Sequence, residues 1–220
     1  QQAAREYLNT NGEALVKVLE IAERNRTVAY AEKHNVKVLN DLLHNQFDID
    51  VKIPKGYELR SQSENFLWAS YEFPVASQGF FCYSYPYRGK GSLTSDYLVA
   101  MRNSFAKRIP GPSDGSYMIT VDKISDDKGL EYVPYKPDYR TIRIGERPWI
   151  EMVGLWDVEN YFMGGPFVSY TTVNQATKEV ITIDCYIYSP KDEKRNMMRD
   201  LQHLVYLVDF PDSKSAESAQ

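Results

Sequence analysis

The stretch from Trp149 to Tyr170 constrains the fold most, because it holds two alternating runs on either side of a glycine-containing break. One face of the first run is apolar and consists of Ile150, Met152, Trp156 and Val158. The other face carries Glu151, Asp157 and Glu159. A period of two is typical of a half-buried β-strand. The stretch therefore predicts a sheet strand with one face toward a core.

The break between the two runs combines bulk with backbone freedom. Tyr161, Phe162 and Met163 come directly before Gly164-Gly165-Pro166. Large apolar side chains thus lie where we expect the backbone to turn through conformations that glycine reaches at low cost. Such a loop either plugs the core or presents a contact surface. On the second interpretation the candidate binding residues are Trp156, Tyr161, Phe162 and Met163.

Composition limits the classes of function. A chain of 220 residues can bury a substantial core. Its net charge of -4, with both signs interspersed, disfavours nucleic acids and other polyanions as partners. No apolar run approaches the roughly 20 residues of a membrane span. The 17 tyrosines favour a recognition surface, although aromatic rings are also common on half-buried sheets.

The first part of the chain predicts helices. Thr10 and Glu13 fit a capping box, which predicts a helix that starts at Thr10. Its apolar stripe consists of Leu15, Val18, Leu19 and Ala22. A second helical segment runs to about Asn45, and its predicted buried face consists of Val38, Leu39, Leu42 and Leu43. Whether the two segments form one bent helix is open.

The rest of the chain predicts two hairpins, each followed by a helix. The predicted strands are residues 66–73 with 80–85, and residues 167–173 with 179–188. One helix should start at Thr94 or Ser95, and the last at Ser189-Pro190. Strands that pair locally and are followed by helices predict an α+β fold, an antiparallel sheet covered by helices.

The two hairpins share a short motif. Cys82-Tyr83-Ser84-Tyr85-Pro86 resembles Cys185-Tyr186-Ile187-Tyr188-Ser189-Pro190. We therefore predict two related strand-hairpin-helix units, residues 46–110 and 141–211, within a single domain of residues 1–211. Residues 212–220 are polar and small, which predicts a disordered tail. The two cysteines are too few for a disulfide framework, and whether they pair is open.

One motif suggests a serine hydrolase. Residues 111–115 match G-x-S-x-G, and Asp157 or Asp184 with His203 would keep the triad order after Ser113. A nucleophile elbow needs a strand before the serine and a helix after it, whereas here a predicted helix precedes it and a predicted strand follows. We therefore interpret the motif as a plain turn.

Other chemistry finds little support. The three histidines, His34, His44 and His203, lack the spacing of a zinc site. Glu151, Asp157 and Glu159 could supply an acid–base pair over a tryptophan, but a solvated strand face is the favoured interpretation. No glycine-rich phosphate loop or dinucleotide motif occurs. We predict no catalytic residue, no metal and no cofactor.

Several phrases, in order, carry a family resemblance. They are Ile53-Pro54-Lys55-Gly56-Tyr57, Tyr85-Pro86-Tyr87, residues 109–118, Gly154-Leu155-Trp156, residues 163–169 and Lys194-Arg195-Asn196. Together they resemble the uncharacterised Bacteroidetes proteins grouped as domain of unknown function 4837, which are often described as lipoproteins. The resemblance implies a location in the cell envelope, periplasmic or associated with the outer membrane, and no established activity.

Family members usually carry a further N-terminal portion and an export signal. Neither is recognisable here, so the resemblance implies that this chain is the C-terminal part of a longer protein. Membrane contact would then come only from a lipid anchor outside this chain.

These observations lead to one functional hypothesis with two alternatives. The hypothesis is a non-catalytic envelope domain that binds a protein or glycan partner through aromatic residues near the loop of residues 160–166. The first alternative is a hydrolase of envelope polymers that uses Ser113 or the carboxylates Glu151, Asp157 and Glu159. The second is a purely structural lipoprotein domain whose aromatic rings are all in the core.

Overall fold

The computed structural model of the chain describes residues 2–126, 128–129, 131–191 and 193–211. The predicted disordered tail, residues 212–220, lies outside the described residues. The helices are α1 (Gln2–Lys33), α2 (Lys37–Phe47), α3 (Ser95–Ala106) and α4 (Arg195–Val205), with a 3-10 turn at Lys90–Leu93. The strands are β1 (Glu58–Ser63), β2 (Phe66–Glu72), β3 (Ser77–Pro86), β4 (Met118–Thr120), β5 (Lys123–Ser125), β6 (Tyr132–Pro134), β7 (Asp138–Ile144), β8 (Arg147–Val158), β9 (Tyr161–Asn174) and β10 (Glu179–Tyr188).

Eight of these strands form one antiparallel sheet in the order β1-β2-β3-β10-β9-β8. Beyond β8, both β4 and β7 pair with it, β4 at Trp156 to Val158 and β7 at Arg147 to Val153. The strands β5 and β6 form a separate ribbon. The α+β class and both predicted hairpins, β2–β3 and β9–β10, are confirmed.

Helices cover both faces of the sheet. Residues of α2 and α4 form one core with one face, and residues of α3 form a second core with the other face. In the central strand β10, Ile183 and Cys185 point toward α2 and α4, whereas Val180 and Tyr186 point toward α3. The sequence of a strand that is buried on both faces is a continuous apolar run rather than an alternating one.

The predicted repeat of strand-hairpin-helix units is not confirmed. The motif strands β3 and β10 are antiparallel neighbours, with Cys82 opposite Ile183. A two-fold axis that relates such neighbours is perpendicular to the sheet and would keep both helices on one face. Because α3 and α4 pack on opposite faces, the likeness is limited to the strands.

Three helix predictions are corrected. Thr10 is not a cap, because α1 already includes Gln2, and the Thr10 hydroxyl donates to the carbonyl of Glu6 at 3.0 Å. Val38 is exposed rather than buried, whereas Leu39 and Leu43 are buried as predicted. The last helix starts at Arg195 and not at Ser189-Pro190.

The long helix α1 packs on α4 through polar side chains. Arg199 of α4 pairs with Glu20 and Glu23 of α1 at 3.0 and 3.3 Å. The Thr27 hydroxyl lies 3.0 Å from Nδ1 of His203. The predicted apolar stripe of α1 lies on the opposite side, where Val18 and Leu19 are 62% and 65% exposed.

Candidate functional site

The β8–β9 hairpin turns at Glu159 and Asn160, and Asn160 has a φ of 60°. The predicted turn at Gly164-Gly165-Pro166 is therefore wrong, since β9 runs straight through it. These two glycines allow the neighbouring backbone segments to lie close to β9. A Cβ on Gly164 would lie 2.6 Å from the Trp156 carbonyl oxygen, and one on Gly165 would overlap the carbonyl oxygen of Ile187. Glycine thus lets the backbone lie where no side chain fits.

Trp156 is a core residue and not part of a contact surface. Its ring is 2% exposed, and Nε1 donates to the carbonyl oxygen of Ile187 at 3.1 Å. The ring centroids of Trp156 and Tyr186 are 5.6 Å apart in an edge-on arrangement. The apolar face of β8 on which Trp156 lies was identified correctly, but α3 and its flanking segments cover that face. Trp156 therefore does not belong to the candidate site.

The other three candidates lie at the hairpin tip. Phe162 is 103% exposed, Tyr161 is 47% exposed, and Met163 is half-buried against the α3 core. On the face opposite Trp156, which is also the face of Phe162, the sheet exposes further apolar side chains. Val153 and Leu155 are 39% and 38% exposed.

The strand register places these residues on one face of the sheet. Leu155 lies opposite Pro166, and Gly164, two residues on from Phe162, lies opposite Asp157. The helix α4 packs against β3, β10 and β9 and leaves this corner of the sheet open. We call Val153, Leu155, Phe162 and Pro166 the hairpin patch, with Tyr161 at its tip. It offers exposed apolar side chains at this end of the sheet, with Asp157 and Gly164 between Leu155 and Phe162.

The carboxylates of β8 do not form a catalytic pair. Glu151 is buried, contrary to the predicted solvated position, and accepts a hydrogen bond from Arg140 Nε at 2.6 Å. Burial and the nearby Glu151 carboxylate raise the pKa of Tyr170 above its ordinary value. Asp157 accepts from the amide of Val158. Glu151 and Asp157 are six residues apart on one strand, about 20 Å, which is too far for a glycosidase pair.

Ser113 lies in a turn, as predicted. Its carbonyl accepts from the Ser116 amide at 3.0 Å, and Gly115 closes the turn with a φ of 74°. The proposed triad partners are engaged elsewhere. His203 contacts Thr27, and Asp184 is bound by Arg102.

The pair of Arg102 and Asp184 is a polar centre that sequence reasoning missed. Neither side chain is exposed, and Arg102 Nε lies 2.8 Å from Asp184 Oδ2. Arg102 Nη1 also donates to Thr120 at 2.9 Å, and its Cζ lies 3.7 Å from the ring centroid of Phe167. Burial raises the pKa of Asp184 to about 6, although Arg102 acts in the opposite direction. With no opening to solvent, the pair has a structural role.

A groove opens where β8 and β9 diverge. Their ladder ends at Ile150 opposite Thr171, and beyond it the Thr172 hydroxyl donates to the Pro148 carbonyl at 2.8 Å. The groove has a volume of about 860 Å³ and is lined in part by Arg147, whose guanidinium carbon lies 3.8 Å from the ring centroid of Phe210. Pro148 was the available sequence signal, because proline cannot donate to the ladder.

In the described part of the chain, no three His, Cys, Asp or Glu residues are grouped so that they could hold a metal ion. None of the helices within the described ranges is long and apolar enough to cross a membrane.

Comparison with known proteins places the chain in a family. The model of the family described as "Domain of unknown function (DUF4837)" matches residues 36–206, so the chain belongs to this family. The match leaves out the whole of α1. No match was found among curated proteins.

Two similar solved structures are of the Mog1 protein. The Saccharomyces cerevisiae Ran-binding protein Mog1p is 9% identical with a TM-score of 0.41, and the match covers 76% of this chain and 92% of that chain. A point mutant of protein Mog1 is 10% identical with a TM-score of 0.39, and the match covers 74% of this chain and 90% of that chain.

Proposed function

We propose that this member of the DUF4837 family is a non-catalytic domain of the cell envelope that binds a protein partner through the hairpin patch. One observation carries the proposal. Phe162 is 103% exposed near the free end of the hairpin, on the same face of the sheet as the exposed Leu155 and Val153. A fully exposed aromatic ring on a sheet face that carries further exposed apolar side chains resembles an interface hot spot.

The chemistry of the patch supports a protein rather than a glycan as the partner. Sugar recognition needs polar groups that converge on the hydroxyls, in addition to a ring. Asp157, a carboxylate on the same face, already accepts from the Val158 amide. Aliphatic side chains beside an aromatic ring resemble the centre of a protein interface, where charged residues are depleted.

The envelope location rests on the family resemblance, and fractionation tests it. The native protein should sediment with the envelope fraction, or appear in the periplasmic extract, when its host cells are lysed and separated. Recovery with the cytosolic marker proteins would contradict this part of the proposal.

The partner is tested by photocrosslinking at two positions. A photoreactive phenylalanine replaces Phe162 in one protein and Tyr132 in another, since Tyr132 is 74% exposed on the remote β5–β6 ribbon. We expect a defined protein adduct from position 162 alone. The substitution Leu155→Glu should reduce that adduct about tenfold, because it brings a charge into an apolar contact.

The binding free energies of variants are then measured with the purified partner. Phe162→Ala should weaken binding by about 2 kcal/mol or more, the size of a hot-spot effect, whereas Tyr132→Ala should leave it unchanged. Identical adducts from both positions, or none, would contradict the proposal and favour a purely structural domain. Adducts with glycan alone would replace the protein partner by a carbohydrate.

A further inference from the structure

The helix α1 is amphipathic, but its two faces are used in an unexpected way. Apart from Val16, the apolar side chains of residues 7–22 fall within an arc of about 160° at 100° per residue. They are Tyr7, Leu8, Ala14, Leu15, Val18, Leu19, Ile21 and Ala22. Each of them is exposed to solvent. The opposite, polar side of the helix is the side that docks on the domain.

The docking contacts show why this orientation is specific. Arg199 pairs with Glu20 and Glu23, and the guanidinium carbon of Arg24 lies 4.3 Å from the ring centroid of Tyr206. Thr27 contacts His203. These contacts fix the rotation of α1 about its axis. The apolar arc is therefore held outward and has no partner in the described part of the chain.

The spacing within the arc indicates what covers it. Its centre line consists of Leu8, Asn11, Leu15, Val18 and Ala22, with intervals of three, four, three and four residues. This is the heptad spacing with which a helix packs against another parallel or antiparallel helix. Because the flanking positions Tyr7, Ala14, Leu19 and Ile21 are also apolar, the arc is wide enough for a substantial helix–helix contact.

A lipid surface fits the arc less well. Residues 5–26 contain four basic side chains (Arg5, Lys17, Arg24, Arg26) and four acidic ones (Glu6, Glu13, Glu20, Glu23), so their net charge is zero. Helices that lie on anionic membranes carry an excess of Lys and Arg on the polar face. The balanced charge instead lets two such helices approach without repulsion.

We propose that the apolar arc of α1 is a self-association surface that packs in parallel against the same arc of a second copy of this chain. Asn11 sets the direction. In the parallel arrangement Asn11 meets Asn11 of the second copy, and the two amides can hydrogen-bond, as single core asparagines do in coiled coils. Asn11 Nδ2 already donates to the Tyr7 carbonyl at 3.1 Å within the helix. In an antiparallel arrangement centred on Leu15, Asn11 would face Leu19, which offers its amide oxygen no donor.

The parallel arrangement also suits the rest of the molecule. Because each domain docks on the polar side of its own α1, the two domains lie on the outside of the helix pair. Leu8 to Ala22 spans about 21 Å, two heptads, which is short for a coiled coil. We therefore expect reversible association at micromolar concentrations rather than a permanent dimer.

Sedimentation equilibrium of the whole chain tests the proposal with a matched pair of substitutions. Val18→Glu places a charge on the centre line. Val16→Glu places the same charge on the same helix outside the arc, at a position that is 50% exposed. We expect Val18→Glu to raise the dimer dissociation constant at least about tenfold and Val16→Glu to change it less than about threefold. Circular dichroism checks that both variants keep the helix.

Crosslinking tests the direction. Leu8→Cys should form a disulfide between two copies under mild oxidation, because in-register parallel helices bring the two thiols together. A wild-type protein that stays monomeric at about 200 µM would overturn the proposal, because this concentration lies well above the expected dissociation constant. Equal effects of Val16→Glu and Val18→Glu on the dimer dissociation constant would also overturn it. Disulfides between Leu8→Cys and Ala22→Cys chains, without disulfides between two Leu8→Cys chains, would overturn the parallel direction. The protein could instead remain monomeric and float with phosphatidylcholine–phosphatidylglycerol vesicles, with flotation lost in Val18→Glu. That result would overturn the proposal and identify a membrane, not a second copy, as the partner of the arc.

Discussion

At the scale of single residues, the buried pair of Arg102 and Asp184 is the most consequential contact of the α3 core. Both side chains are fully buried, and Thr120 accepts a further hydrogen bond from Arg102. Removal of one partner from such a pair leaves an uncompensated charge in a low-dielectric interior. Replacement of both partners by apolar groups of similar volume removes that penalty.

Arg102→Met should therefore lower the free energy of unfolding by about 3–5 kcal/mol, whereas Arg102→Met with Asp184→Leu should recover most of the loss. Urea denaturation measures both values. Arg60→Met is the control, because Arg60 pairs with Glu58 and Glu72 at a partly exposed site and should cost about 1 kcal/mol or less. Equal losses for Arg102→Met and Arg60→Met would contradict the assignment of the pair to the core.

A second residue-scale prediction concerns Gly79. The Tyr186 ring lies over Gly79 on the neighbouring strand, and a Cβ there would be 2.5 Å from Tyr186 Cζ. The ring cannot simply move, since its hydroxyl accepts from Trp68 Nε1 at 2.8 Å. Gly79→Ala should cost about 1–3 kcal/mol through overpacking. Gly12→Ala is the control. A Cβ at Gly12 meets open space, so this change should stabilise α1 by about 0.5–1 kcal/mol.

At the scale of elements, the contact between α1 and α4 depends on a neutral histidine. Burial lowers the pKa of His203, and Arg24 and Arg199 act in the same direction, against Asp200 and Glu23. Because the folded-state pKa lies below the unfolded value of about 6.5, the unfolded chain binds the proton more tightly. Stability from this site is present above about pH 6.5 and is lost as the pH falls below it.

His203→Gln should therefore remove part of the decrease in melting temperature between pH 7.5 and 5.5. Calorimetry at both pH values gives the comparison. His44→Gln is the matched control, since His44 is half-exposed and its Nδ1 lies 2.8 Å from Asp50 Oδ1. If His44→Gln flattens the pH dependence as much as His203→Gln, then the α1–α4 contact is not the origin of the effect.

Elements also show what sequence patterns can and cannot predict. Period-two alternation located the β8 strand and its buried face, because a strand with one covered face must alternate. The same pattern could not show which segments would cover each face, so Trp156 was assigned to the surface. The spacing of Leu15, Val18 and Leu19 predicted the apolar stripe of α1. It could not predict that the stripe faces outward, because that depends on contacts of Glu20, Glu23 and Thr27 with α4.

At the scale of the whole molecule, the two cysteines report on global unfolding. Cys82 and Cys185 are free and fully buried on neighbouring strands, and burial raises the pKa of both thiols well above the ordinary value. Thiol reagents need both access and a thiolate. Whether the cysteines pair was left open by the sequence, and the structure keeps both as thiols.

The native protein should therefore react with a maleimide or an aromatic disulfide only as fast as it unfolds. The labelling rate of both cysteines should follow the unfolding rate across a urea series. Val16→Cys supplies an exposed thiol that must react within the mixing time. Rapid labelling of Cys82 or Cys185 without denaturant would mean that the sheet opens locally at β3 or β10.

The pairing of β4 and β7 along the same side of β8 has an engineering consequence. The chain leaves the sheet edge after Thr120 and returns at Asp138, only a few β8 residues away, and the Tyr135 amide donates to the Asp122 carbonyl at 2.8 Å to close the base. Everything between Asp122 and Tyr135 is therefore a side branch whose length does not enter the register of the sheet. A fluorescent protein or affinity tag inserted at Lys128-Gly129 would extend that branch and leave the eight-stranded core intact.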